Sequence, residues 1–218
     1  MKKLFAVIGL GKFGGALATE LDRMGHEVLG VDKSEETVSE FADKLTHCVQ
    51  ADCTEEETVR SLGLNSMDVV VVAIGEIHAS IMVVLFLKEM GVPCVVAKCA
   101  NDIHARLLEK VGADRVVYPE KDMGVRIAHS LVHTGTFDYV ELSDDCGMIE
   151  CAVRPEWVGK SLRDLSFRNK YEVNIIGIRY ANGKINISPG ADRPLMDSDV
   201  LIMLGGSSAI SRLEKSAR

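Results

Sequence analysis

The stretch Leu4-Phe5-Ala6-Val7-Ile8-Gly9-Leu10-Gly11-Lys12-Phe13-Gly14 decides the fold. Its first five residues are an unbroken apolar run, as in a parallel strand covered on both faces. Glycines follow at 9, 11 and 14, and from Gly14 onward Ala16, Leu17, Leu21 and Met24 take helical spacing. Strand, glycine turn and helix in this order form a phosphate loop. Gly9 permits the tight turn, Gly11 lets the backbone approach a pyrophosphate, and Gly14 lets the helix pack closely on the strand. The N-terminus of that helix offers unpaired N–H groups and the positive end of its dipole to an anion. Asp32, ending the next strand, stands where an acid binds ribose hydroxyls. An acid there disfavours a 2′-phosphate, so NADP is not expected.

Working outward, strands are expected over residues 27–31, 47–50, 69–74, 94–98 and 115–118. Between them lie helices starting at Ser34 and Thr54, each with a hydroxyl ahead of acids that suit the helix dipole, and helices over 78–90 and 103–111. Strands alternating with helices give a doubly wound parallel sheet. A further helix starts at Pro119 and runs to about residue 133, with Thr134-Gly135-Thr136 as the break after it. Beyond it the texture changes: strands over 148–153, 173–180, 184–188 and 200–204, helices over 161–167 and 207–214, and Asn182-Gly183 as a hairpin turn. The expected fold class is therefore α/β, a Rossmann-type domain over 1–133 followed by a small α+β domain over 134–218.

Composition narrows the function classes. The 218 residues carry a net charge of −7, and no Lys/Arg cluster is visible, which argues against nucleic acid as a partner. The longest apolar run, 81–87, is far short of the roughly 18–20 residues of a membrane span. The N-terminal apolar stretch reads as a buried strand rather than a signal peptide, so a cytosolic protein is expected. Six cysteines, at 48, 53, 94, 99, 146 and 151, form three pairs with four residues between. Metal ligation is the sharper reading. Free thiols in strands and turns are the simpler one, because zinc knuckles use tighter spacing and Cys94 and Cys99 bracket a strand. His129 and His133 share a helix face without a carboxylate partner, and read as surface or interface residues. Trp157 reads as a packing anchor, and Asp144 and Asp145 as loop acids.

The candidate site extends from the glycine loop. Lys12, inside it, can reach a terminal phosphate. Asp52 follows the third strand on the adenine side. Ala73-Ile74-Gly75 ends the fourth strand, and Lys98 the fifth, at the carboxyl edge where such sheets bind ligands. No acid–base constellation follows in residues 134–218, so hydride chemistry is the weaker reading of the loop; a small NAD-dependent oxidoreductase remains the alternative.

Several segments carry a family resemblance: Ala6-Val7-Ile8-Gly9-Leu10-Gly11-Lys12-Phe13-Gly14-Gly15, Gly25-His26-Glu27-Val28, Leu108-Glu109-Lys110-Val111-Gly112-Ala113-Asp114-Arg115 and Tyr118-Pro119-Glu120-Lys121-Asp122-Met123-Gly124. Over its whole length the chain resembles the RCK (KTN) regulatory subunits of bacterial Ktr and Trk potassium uptake systems, and the Ktr type most. The resemblance implies a non-enzymatic subunit, cytoplasmic and peripheral on the inner face of the cell membrane. Such subunits form homodimers that assemble into an octameric ring beneath a membrane K⁺ channel subunit (KtrB/TrkH-like), and ATP and ADP favour different ring shapes. It further implies that Gly9, Gly11, Phe13, Gly14, Asp32, Lys33, Asp52, Cys53, Ala73, Ile74, Gly75 and Lys98 line the site for ATP or ADP, with NAD(H) left open. Lys12, often Arg in the family, would reach the γ-phosphate of a neighbouring subunit's nucleotide. Glu120 would help hold Mg²⁺ or another cation near the phosphates. The segment Gly75-Glu76-Ile77-His78-Ala79-Ser80 reads as shorter than the family's usual loop. In the C-terminal domain the resemblance implies cyclic di-AMP bound by Leu162, Leu165, Arg168, Asn174, Ile175 and Pro189.

Overall fold

The computed structural model describes residues 2–132, 136–143 and 145–215; the expected break at Thr134-Gly135, with His133 and Asp144, lies outside them. The chain divides into two compact units, Met1–Glu120 and Lys121–Arg218. The sequence reading instead counted the whole helix that begins at Pro119 with the first unit.

In the first unit, strands β1 (Leu4–Ile8), β2 (Glu27–Asp32), β3 (His47–Gln50), β4 (Val69–Val72), β5 (Val95–Lys98) and β6 (Arg115–Val117) alternate with helices α1 (Lys12–Arg23), α2 (Glu35–Phe41), α3 (Glu56–Ser61), α4 (Ile77–Glu89) and α5 (Asp102–Val111). The strands pair in parallel in the order β3-β2-β1-β4-β5-β6. The order reverses between β1 and β4, the switch point at whose carboxyl edge a ligand crevice forms.

The central strands β1, β4 and β5 are covered on both faces, which is why they read as nearly continuous apolar runs. Ala6 and Ile8 of β1, Val70 and Val72 of β4 and Val95 and Ala97 of β5 join Val83, Val84 and Leu87 of α4 in one core. Val7 and Val71, on the opposite face, join Leu10, Ala18 and Val28 in another. Ser34 caps α2, accepting the Thr37 N–H at 3.3 Å. Thr54 does not cap α3. The cap position belongs to Glu55, which makes no side-chain bond there, and the Thr54 hydroxyl donates to Asp52 Oδ1 at 2.7 Å instead.

Helix α6 (Pro119–Val132) leads from the first unit into the second. The second unit holds β7 (Thr136–Ser143), β8 (Cys146–Ala152), β9 (Val173–Arg179), β10 (Ile185–Asn186) and β11 (Val200–Gly206), with α7 (Leu162–Leu165), α8 (Phe167–Tyr171) and α9 (Ser207–Lys215). Its sheet is antiparallel in the order β10-β9-β11-β8-β7. The β9–β10 hairpin turns at Asn182-Gly183, where Gly183 takes φ +79. The helix expected over 161–167 is broken: Ser166 adopts a left-handed φ of 47 between α7 and α8. Trp157 is fully buried, edge-on to Phe167 at 5.0 Å between ring centroids, and anchors this core.

Candidate functional site

A cavity of about 380 Å³ opens at the carboxyl edge of the parallel sheet. Its lining includes Gly9, Gly11, Asp32, Lys33, Asp52, Cys53, Ala73, Ile74 and Gly75 from the sequence-derived set, together with Thr54, Glu76 and Ala79. The glycines divide the work of shaping it. Gly9, at φ +94, approaches the Ala73 backbone so closely that an added Cβ would stand 3.0 Å from it. A Cβ on Gly14 would stand 1.9 Å from the Gly9 carbonyl oxygen, so α1 crosses the loop only because that position has no side chain. A Cβ on Gly11 would meet nothing within 4 Å: it would project into open space where Gly11 lines the cavity. Gly11 is also the N-cap of α1 and offers no side-chain bond. The opening N–H groups of α1 thus have no side-chain cap of their own to satisfy them, the condition for anion binding.

Three carboxylates stand around this space. Asp32 holds the loop, its Oδ2 accepting the Leu10 N–H at 2.7 Å and its Oδ1 the Ser34 N–H at 2.9 Å. Asp52 accepts the Thr54 hydroxyl at 2.7 Å and the Thr54 N–H at 2.9 Å. These bonds, with attraction from Lys33, hold its carboxyl below the usual range. Glu76 caps α4, accepting the Ala79 N–H at 2.5 Å and the His78 N–H at 2.9 Å. Those two backbone donors chiefly, helped by His78 and Lys33, depress its acid. The Cys53 thiol is pushed up to about 12, first by burial and then by the charges of Asp52 and Asp32. All six cysteines are free thiols.

Lys12, Phe13 and Gly14 sit on the first turn of α1, beside the cavity rather than in its wall. Lys98 and Glu120 meet in an adjoining cavity of about 220 Å³ that shares Ile74 and Gly75 with the first. There Lys98 Nζ lies 2.6 Å from Glu120 Oε1 and 6.0 Å from the Phe13 ring centroid. The ammonium holds the Glu120 acid below its ordinary value. A cation at Glu120 would share that carboxylate with the Lys98 ammonium and would take its other ligands from the phosphates. No group of three or more His, Cys, Asp or Glu among the described residues is arranged to hold one.

In the second unit, Leu162, Arg168, Asn174 and Ile175 line one open depression with Phe167, Val173 and Ala191. Arg168 Nε donates to Asn174 Oδ1 at 2.8 Å across it. The other two residues expected there lie elsewhere. Leu165 is buried in the core of the unit, and Pro189 follows β10 outside the depression.

Glu76 and Thr54 are the residues that sequence reasoning missed. Glutamate is not a favoured N-cap, so nothing marked residue 76 as one. The Asp52-x-Thr54 spacing, an Asx turn in the making, was the available signal for the second.

The TrkA-N domain family matches residues 5–119 and the TrkA-C domain family residues 149–218. The chain is 44% identical over 216 residues to the Ktr system potassium uptake protein C of Bacillus subtilis (strain 168), covering 99% of this chain and 97% of that protein. The RCK domain of GsuK superposes over 99% of this chain with a TM-score of 0.55 at 23% identity, and this chain spans 47% of that one. A structure of GsuK bound to ADP covers 60% of this chain and 34% of its own, with a TM-score of 0.51 at 26% identity. No described helix is long and apolar enough to cross a membrane.

Proposed function

We propose, from the premise that this chain belongs to the family built of a TrkA-N and a TrkA-C domain and shared with the Ktr potassium uptake proteins, that it is a non-catalytic regulatory subunit of a K⁺ uptake system. An adenine nucleotide in the glycine-loop cavity sets the state of a membrane K⁺ channel subunit. The observation that carries this is the cavity itself: it lies at the β1/β4 switch point, its Gly11 wall has no side chain, and the opening turn of α1 carries no side-chain cap. Asp32 stands ready for ribose hydroxyls and Asp52 with Cys53 for the base; Lys98 and Glu120 lie beyond the phosphates.

The subunit acts in the cytoplasm on the inner membrane face, as homodimers assembled into an octameric ring, with Lys12 meeting the nucleotide of a neighbour. Nucleotides gate the channel only as far as their affinities differ between the ring's shapes. Reconstitution with the cognate channel subunit in liposomes tests this. K⁺ flux should differ between ATP and ADP, and equal flux with both removes nucleotide gating. In the second unit, Arg168 and Asn174 stand within an apolar depression of a kind that suits the phosphates and base edges of cyclic di-AMP. That part of the reading requires that Arg168→Ala weaken cyclic di-AMP binding while leaving ADP binding intact.

A further inference from the structure

Two helices present their N-termini to the same cavity, and they are prepared in opposite ways. The α1 N-terminus begins at Gly11, which has no side chain with which to cap it. The α4 N-terminus is closed by a charge of its own: Glu76 accepts both the His78 and Ala79 N–H groups, and Glu76 and Ala79 both line the cavity. A 13-residue helix would otherwise offer the second anion seat at this edge. The charge of the lining points the same way. Asp32, Asp52 and Glu76 contribute three carboxylates against the single ammonium of Lys33. Lys33 attracts the carboxylates of both Asp52 and Glu76.

We propose that Glu76 sets how many phosphates the cavity accepts: it keeps the α4 N-terminus occupied, so that a two-phosphate ligand seats on α1 while a third phosphate meets a fixed negative charge. The preferred ligand class is then a nucleoside diphosphate or a dinucleotide over a metal-free nucleoside triphosphate. This deepens the nucleotide reading above and rests on it.

The repulsion is Coulombic and acts at short range inside a partly enclosed space, where one charge is worth about a factor of ten in affinity. The experiment measures equilibrium binding of ADP, NADH and ATP by titration calorimetry, in chelator, to the full chain and to Glu76→Gln. The amide keeps an acceptor oxygen for the helix and removes the charge. Wild type should bind ADP about tenfold more tightly than ATP. Glu76→Gln should close most of that gap by improving ATP, with ADP and NADH affinities moving less than about twofold. An unchanged ATP/ADP ratio in Glu76→Gln with ADP still bound overturns this proposal and leaves the nucleotide reading standing. Equal weakening of all three ligands also overturns it, because Glu76 would then only support the cavity wall. Absence of binding by any of them to wild type overturns both readings.

Discussion

Replacing Gly14 and Gly11 in turn by alanine separates the two tasks of the glycine loop. At Gly14 the new Cβ would lie 1.9 Å from the Gly9 carbonyl oxygen and 3.0 Å from the Ala73 Cβ. The first neighbour is backbone, so no rotamer relieves the contact. Reaching an ordinary separation requires α1 and the loop to part by about an ångström, at the junction of β1, α1 and β4. Forced overpacking of this kind costs about 1–3 kcal/mol and sometimes more. The better helix propensity of alanine returns about 1 kcal/mol. The clash wins, because its contact is shorter than packing tolerates, and with the overpacking cost at the top of that range a net loss of about 2 kcal/mol follows. In a unit of this size that lowers the melting temperature by roughly 5–15 °C. At Gly11 the backbone has φ −63, which alanine adopts freely, and the Cβ meets nothing within 4 Å. Gly11→Ala should therefore stay within about 0.5–1 kcal/mol of wild type, since a weaker N-cap and a stiffer unfolded chain oppose each other. Its methyl group, however, enters the path by which a pyrophosphate reaches the backbone, and ADP affinity should fall at least about tenfold. Urea denaturation gives the stabilities and titration calorimetry the affinities. The reasoning fails if the two variants lose equal stability, or if Gly11→Ala binds ADP as wild type does.

Asp114 accepts Lys88 Nζ at 2.8 Å and the Val95 N–H at 2.7 Å, and the Lys88 bond chiefly holds its acid below 3.8. Its folded-state pKa is depressed, so its contribution is complete above the unfolded value and fades as pH falls through the lower folded one; Asp114→Asn should flatten the acid limb of a urea-midpoint-versus-pH curve below about pH 4. Cys53, with its thiol pushed from 9.0 to about 12, should carry about a thousandfold less thiolate at pH 8 than an ordinary cysteine. Differential alkylation read by mass spectrometry should place it among the last of the six to label, and early labelling of Cys53 would contradict its burial at the cavity floor.

The parallel sheet was readable because its physics is local. The central strands β1, β4 and β5 are covered on both faces, as Ala6 and Ile8 on one side of β1 and Val7 on the other show. Two-sided burial writes itself into the chain as an apolar run needing no knowledge of what covers it. Strand β7 follows another rule. Its pairing with β8 slips between Thr136 and Asp138 and again between Glu141 and Ser143. Each slip breaks the alternation by which an antiparallel strand announces itself, so residues 136–143 gave no periodic signal. The helix over 161–167 failed for a related reason. Its spacing continues through Ser166, but the backbone there turns left-handed at a residue that is not glycine, a state that tertiary packing imposes and composition does not mark.

The site divides along the same line. The glycine loop and Asp32 were legible because their roles are fixed by spacing along one strand, one turn and one helix. Glu76 was not, because its meaning comes from a comparison between two helices that are distant in sequence and meet only at the carboxyl edge. Taken alone it is an unremarkable acid at the start of α4, and its two backbone bonds look like ordinary capping. Set beside Gly11, which leaves α1 without a side-chain cap, it becomes the asymmetric half of a pair. One helix end receives the ligand's charge and the other carries its own. A cavity with two open helix ends would gain affinity from each further phosphate and would rank ligands by charge alone. Closing one end with a fixed carboxylate penalises each added negative charge, so the site can rank a diphosphate above a triphosphate.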